Sequence, residues 1–137
     1  MVCYVGDFRI NEIMIRHLES NDVFVFGSNL KGIHGAGASY QALNWGAVWG
    51  VGVGYRGQTY AIPTKESPYK SLETEEIKPY VDEFISWCSK NTDKRILVTP
   101  IGCGLAYKTS KEMAPLFKEC LNMSHVVLPK EFLDELQ

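Results

Sequence analysis

Short apolar runs rich in β-branched and aromatic residues recur along the chain and predict strands. Four such runs are DVFVF (22–26), TYAIP (59–63), RILVTP (95–100) and HVVLP (125–129). This composition is typical of buried strands. We expect Pro63 to end the second strand, because proline has no N–H to donate to a neighbouring strand.

Two segments between these runs have the features of helices. GASYQALNW is predicted to form a short helix ended by Gly46, since glycine commonly follows the last helical residue. Over 75–90, apolar residues recur at the spacing of one helix face. Pro79 lies within this second segment and is expected to fit only near the first turn, where its missing N–H costs little.

The last predicted helix begins at a capping box. Glu112 follows Thr109 at the spacing that lets each side chain accept the other residue's backbone N–H. Pro115 interrupts the apolar periodicity that follows. We therefore expect this helix to kink or to start later than its cap suggests.

The alternation of strands and helices predicts an α/β fold with a mixed, mostly parallel central sheet and helices on both faces. At 137 residues the chain is expected to form a single domain. In such sheets, ligands bind beyond the carboxyl ends of the strands. Two glycine-rich segments follow predicted strands at that position.

Composition and charge narrow the class of protein. A net charge of −2 argues against a broad electrostatic grip on nucleic acid. Cys3, Cys88, Cys103 and Cys120 are far apart and form no C-x-x-C pair, so we expect reduced thiols and no structural metal. The chain has no signal-peptide pattern and no long apolar run, which predicts a soluble, cytoplasmic protein without a membrane partner.

The two glycine-rich segments are GSNLKGIHGAGAS (27–39) and GCGLAYKTS (102–110). A strand, a glycine loop and a helix together offer free backbone N–H groups, which suit phosphate. Neither segment matches the Walker or the G-x-G-x-x-G pattern. The alternative is that these glycines only serve tight turns and close packing. Two loops at equivalent positions favour a phosphate-bearing ligand.

Together with YAIPTK and PIGCGL, the first glycine segment resembles the macro domain, whose members bind ADP-ribose. The resemblance spans 22–128 and is weak before it. It is closest to the subgroup that contains terminal ADP-ribose protein glycohydrolase and the antitoxins that remove ADP-ribose from DNA, and to small macro-like proteins of phages and bacteria. It implies a macro-like domain that binds ADP-ribose or a related nucleotide without cofactor or metal.

The resemblance also implies roles for individual residues. Lys65 would attack the anomeric carbon of the distal ribose, Asn29 would face that ribose, and Asp7 would receive the adenine amino group. Gly35, Ala36 and Gly37 would line the diphosphate and ribose on one side. The implied ligand-binding set is completed by Gly27, Ser28, His34, Thr64, Ile101, Gly102, Cys103, Gly104, Leu105 and Ala106.

One departure from the family pattern leaves catalysis open. The subgroup has a catalytic aspartate directly after GCGL, where this chain has Ala106. A free lysine has a pKa near 10.4, so Lys65 would also need activation as a nucleophile. His34 is a candidate for the missing proton transfer, and Tyr107 and Lys108 lie beside position 106. Cys103 has no histidine near it in sequence and is discounted as a nucleophile.

Two functions from different classes therefore remain. The first is a glycohydrolase that removes ADP-ribose from protein or DNA through Lys65. The second is a binding module that sequesters an ADP-ribose-type nucleotide, including a cyclic signalling molecule in conflict between phage and host. A nucleotide-free structural protein that keeps only the fold is a third, plainer alternative.

Overall fold

The computed structural model describes residues 18–104 and 106–137, together with the backbone of three short strands nearer the N-terminus. These strands are β1 (Tyr4–Val5), β2 (Phe8–Ile10) and β3 (Ile13–Met14). They pair antiparallel in sequence order and form a sheet of their own.

A second, six-stranded sheet forms the centre of the fold. Its strands are β4 (Asp22–Asn29), β5 (Gly54–Arg56), β6 (Thr59–Ser67), β7 (Lys70–Ser71), β8 (Arg95–Val98) and β9 (Val126–Val127). The order is β5-β6-β4-β8-β9, with β7 added to β6. β4 pairs parallel with β6 and β8, and β8 pairs parallel with β9, whereas β5 and β7 are antiparallel to β6. The predicted mixed, mostly parallel sheet is confirmed.

Helices cover both faces of this sheet, as predicted. They are α1 (Gly37–Ala42) with a 3₁₀ turn (Leu43–Trp45), α2 (Thr74–Ser89), α3 (Ser110–Met113) with a 3₁₀ segment (Ala114–Asn122), and α4 (Lys130–Leu136). Side chains alternate along β4. Val23 and Val25 lie in the larger core cluster with α2, the 3₁₀ segment and α4. Phe24 and Phe26 pack on the other face with Ala42 of α1.

Four details of the predicted elements are wrong. β6 continues past Pro63 to Ser67; its pairing with β5 stops at Ala61, so the proline's missing N–H faces no strand. Pro79 lies in the second turn of α2, at an exposed position where the lost hydrogen bond would have used the Glu75 carbonyl. The last strand is only two residues long, and α4 was not predicted.

The predicted capping box at α3 is confirmed. Thr109 Oγ1 accepts the Glu112 N–H at 3.1 Å, and Glu112 Oε1 accepts the Thr109 N–H at 3.0 Å. Pro115 then ends the α-helical hydrogen bonding, and the chain continues as the 3₁₀ segment. The expected irregularity at this proline is therefore present. The short helix α1 also ends as predicted, with Gly46 in the left-handed conformation.

The described cysteines, Cys88, Cys103 and Cys120, are free thiols, as predicted; Cys3 lies outside the described residues. Burial raises the pKa of Cys120 to about 12 and also raises the pKa of Cys88. Within the described part of the chain, no helix combines the length and the apolar character that crossing a bilayer requires.

We expect Thr109→Ala to lower the free energy of unfolding by about 1 kcal/mol, because it removes the cap of α3. Urea denaturation measures this, and Thr92→Ala, at an exposed turn position, is the control.

Hydrogen bonds from Thr109 hold the pKa of Glu112 below its ordinary value. A carboxyl whose pKa is lowered in the folded protein stabilises the fold at any pH above its ordinary pKa. This stabilisation is lost as the pH falls through the lowered pKa. The difference in the free energy of unfolding between Thr109→Ala and wild type should therefore shrink at acid pH. Equal losses of stability in Thr109→Ala and Thr92→Ala would contradict the role of Thr109 as the helix cap.

Candidate functional site

The carboxyl ends of β4, β6 and β8 lie at one edge of the sheet because the three strands are parallel. Segments from all three meet at Gly27. A Cβ on Gly27 would lie 3.5 Å from Thr64 Oγ1 of β6 and 3.6 Å from the Gly102 nitrogen, in the loop after β8. The two glycine loops predicted to converge do so at this edge.

A cavity of about 810 Å³ opens between these loops. This volume is in the range of small-molecule sites. Most of the predicted binding residues line it, namely Gly27, Ser28, Asn29, Gly35, Ala36, Gly37, Thr64, Lys65, Ile101, Gly102, Gly104 and Ala106. Asp7 and Leu105 lie outside the described residues. His34 and Cys103 are absent from the cavity wall.

Asn29 shapes the first loop with its own side chain. Its Nδ2 donates to the Ile33 carbonyl at 2.8 Å, and its Oδ1 accepts the Ile33 N–H at 3.1 Å. The side chain was predicted to face a ribose, and it does lie at the cavity wall. Both ends of the amide are nevertheless engaged, so Asn29 closes the 29–33 turn. Beside it, Ser28 Oγ donates to the Gly52 carbonyl.

The segment 50–52 packs directly against the first loop. Gly50 donates its N–H to the Gly32 carbonyl at 2.8 Å. A Cβ on Gly32 would overlap the backbone of Gly50 and Val51, and a Cβ on Gly52 would overlap the Asn29 carbonyl. Only glycine permits so close an approach of two backbones. These glycines therefore serve packing, which was the alternative considered for the glycine-rich segments.

His34 holds this packing together from inside. Its side chain is 0% exposed, and Nε2 lies 3.0 Å from the Val48 carbonyl oxygen and 3.1 Å from that of Val51. Carbonyl oxygens only accept, so Nε2 carries a hydrogen. Nδ1 has no partner within the described part of the chain. A buried ring away from the cavity cannot reach a ligand, so the structure does not support the predicted catalytic or ligand-binding role of His34.

The second loop depends on Gly102 and Cys103. Gly102 has a φ of +82°, a conformation that favours glycine. Cys103 Sγ lies 3.7 Å from Ser110 Oγ and from the Ile101 carbonyl oxygen. Burial raises the pKa of the Cys103 thiol, which makes the thiolate scarcer. This environment agrees with discounting Cys103 as a nucleophile and places it behind the loop.

Lys65 supplies the charge of the site. Its Nζ donates to the Pro68 carbonyl at 2.6 Å, within the turn between β6 and β7. Among the described residues that line the cavity, Lys65 is the one charged side chain, and none is a carboxylate. Ala106 is buried, and its carbonyl accepts a hydrogen bond from Ser71 Oγ at 3.0 Å. Nothing described at this wall replaces the missing aspartate.

Both loops contribute lining residues whose backbone N–H groups are unused. No hydrogen bond inside the described chain uses the N–H groups of Gly35, Ala36, Gly102 or Gly104. Such clustered N–H groups attract anions, and Lys65 adds a positive charge. No group of His, Cys, Asp or Glu among the described residues could hold a metal ion. The arrangement is suited to an anionic ligand.

The sequence reasoning missed one wall of the cavity, the hairpin of β6 and β7. Pro68, Tyr69 and Ser71 line the cavity from there, and Tyr107 joins them from the second loop. The proline in ESPYK was the available signal, because it favours a turn, but it was not read as such. Further lining residues that were not predicted are Ile33, Ala38, Ser39, Thr99 and Pro100.

Comparisons with known proteins found no match: no family model, no curated protein and no solved structure is significantly similar to the chain. The resemblance to the macro domain therefore stays a prediction.

We expect Gly102→Ala to lower the free energy of unfolding by about 1–2 kcal/mol, since alanine is strained at a left-handed φ. The new methyl group would also press on Met113, whose sulfur would lie 3.1 Å from it. The control is Gly104→Ala in the same loop, where a Cβ meets nothing within 4 Å and φ is not left-handed. Urea denaturation should find this control within about 0.5 kcal/mol of wild type. Equal losses in both variants would mean that the loop conformation is described wrongly.

Proposed function

We propose that the cleft between the two glycine loops binds ADP-ribose or a closely related phosphate-bearing nucleotide. The observation that carries this proposal is the pairing of free backbone N–H groups on both loops with a single charged side chain, Lys65, among the described lining residues. A diphosphate placed between the loops would receive N–H donors from two sides.

The chemistry of the cavity wall argues against other ligand classes. A bound metal ion would need carboxylates or similar ligands, and the described lining has no carboxylate. The volume of about 810 Å³ is larger than inorganic phosphate needs and suits a nucleotide. The choice of ADP-ribose in particular rests on the resemblance of the loop motifs to the macro domain.

Binding without efficient turnover is the form of this function that we favour. Lys65 lies at the cavity wall, which is compatible with attack on a ribose carbon. Yet its Nζ is engaged by the Pro68 carbonyl, and position 106 offers a methyl group where proton transfer would need a carboxylate. General acid–base help is worth roughly 10²–10⁴-fold in rate. A protein that sequesters the nucleotide needs none of this chemistry.

The proposal predicts that wild-type protein binds ADP-ribose in calorimetry and that Lys65→Ala weakens this binding about tenfold, because a charge-assisted hydrogen bond to phosphate or ribose is lost. Lys31→Ala is the matched control, since Lys31 is exposed and lies outside the cavity wall. Absence of any ADP-ribose binding to wild type would refute the proposed function. An equal loss in both lysine variants would refute the role of Lys65.

A restored carboxylate tests whether the missing aspartate limits catalysis. We expect Ala106→Asp to raise the release of ADP-ribose from modified protein or DNA by at least about tenfold, towards the 10²–10⁴-fold range of acid–base catalysis. Ala106→Asn has nearly the same shape but cannot transfer the proton, so it should stay at the wild-type rate. Chromatographic assay of released ADP-ribose gives the rates. Detectable wild-type turnover that Ala106→Asp does not exceed would show that the chain is an enzyme as it stands.

A further inference from the structure

Two tyrosines at the mouth of the cavity are almost fully exposed. Tyr69 is 96% exposed and Tyr107 is 86% exposed, and both belong to the cavity wall. An aromatic side chain is ordinarily at least partly buried, because its ring carries a large apolar surface. Rings left uncovered beside a ligand cavity are available to stack on a flat group of the ligand.

The two tyrosines come from two segments, the hairpin and the second loop, that a hydrogen bond holds together. Ser71 Oγ of β7 donates to the Ala106 carbonyl of the second loop at 3.0 Å. Tyr107 directly follows Ala106, and Tyr69 precedes Ser71 by two residues, each step being about 3.8 Å between Cα atoms. The rings therefore flank the same bridge, one on the hairpin and one on the loop.

Tyr107 is held in place by its backbone. Its φ of +60° makes it the one non-glycine residue with a positive φ in the described part of the chain. The Tyr107 N–H donates to the Gly104 carbonyl at 3.0 Å, and the Lys108 N–H donates to the Gly102 carbonyl at 2.7 Å. These bonds fix a conformation that a tyrosine does not favour by itself, and such residues cluster at ligand sites.

Lys65 connects the tyrosines to the anion-binding part of the cleft. Its Nζ is bonded to the carbonyl of Pro68, the residue directly before Tyr69. The rings thus stand at the Lys65 end of the cavity. Lys70, next to Tyr69, is 3.1 Å from the Glu66 carboxylate. The two exposed rings are suited to stacking on a flat, aromatic group.

We infer that Tyr69 and Tyr107 hold an aromatic heterocycle joined to the ribose at the Lys65 end of the cleft. This inference rests on the proposed function. The ligand then carries a ring beyond that ribose, as in a dinucleotide such as NAD⁺ or a nucleobase that carries ADP-ribose. A ligand that ends in a free ribose, or one joined there to a carboxylate side chain, gives the two tyrosines nothing to stack on.

Calorimetry with five ligands tests this inference: ADP, ADP-ribose, NAD⁺, a short single-stranded oligonucleotide with ADP-ribose on a base, and a peptide with ADP-ribose on a glutamate. Base stacking on aromatic side chains predicts that a ligand with the distal ring binds about 5- to 100-fold more tightly than ADP-ribose. A gain for NAD⁺ identifies a dinucleotide as the source of the ring, and a gain for the oligonucleotide alone identifies a nucleic acid. The peptide should show no gain.

The variants separate stacking from other effects. Tyr69→Ala and Tyr107→Ala should remove the gain of ring-bearing ligands over ADP-ribose, and Tyr69→Phe and Tyr107→Phe should keep it. Tyr40→Ala is the control, because Tyr40 is 58% exposed but lies outside the cavity wall. The gain should hold between 50 and 200 mM salt, roughly the range over which contacts to nucleic-acid phosphates weaken.

Three results would overturn the inference, and they are distinguishable. Equal affinity for ADP-ribose and every ring-bearing ligand removes the inference and leaves the proposed function standing. An equal loss of ADP, ADP-ribose and NAD⁺ binding in the alanine variants places the adenine between the tyrosines instead. No binding of any ligand refutes the proposed function and this inference together.

Discussion

The parallel pairing of β4 with β6 on one side and β8 on the other is the constraint on which the site depends. Parallel strands bring their carboxyl ends to one edge, so the segments that follow them must leave the sheet side by side. The buried Phe24, Phe26 and Val25 anchor β4 between two helical layers and so hold that edge in place. This pairing determines where the cavity lies, because the two glycine loops and Lys65 that line it are all at this edge of the sheet.

Each loop is then stiffened by hydrogen bonds within the protein. Asn29 closes the first loop on Ile33, and His34 ties it to the 48–51 segment from a fully buried position. Ser71 ties the second loop to the hairpin through the Ala106 carbonyl. Backbone donors fixed in this way pay little ordering entropy when a ligand arrives.

The features that local sequence patterns determine could be predicted from the sequence. The Thr109 capping box, the glycine stop after α1 and the convergence of the two loops follow from spacing and from strand direction. The extension of β6 beyond Pro63 could not be predicted, because it depends on the neighbouring strand β5, whose pairing with β6 stops at Ala61. The burial of His34 depends likewise on the 48–51 segment folding over it, a contact between distant residues. The hairpin itself had a local signal in Pro68, but its approach to the second loop depends on the contact of Ser71 with Ala106.

The central claim, that both glycine loops face one anionic ligand, is tested most directly by NMR of the backbone amides during titration with ADP-ribose. The account predicts chemical-shift changes at Gly35, Gly102 and Gly104, whose N–H groups have no acceptor within the described chain. Gly46 and Gly57, which contact each other away from the cavity wall, should not move and serve as internal controls. Changes confined to one loop, or none at these glycines, would contradict the account.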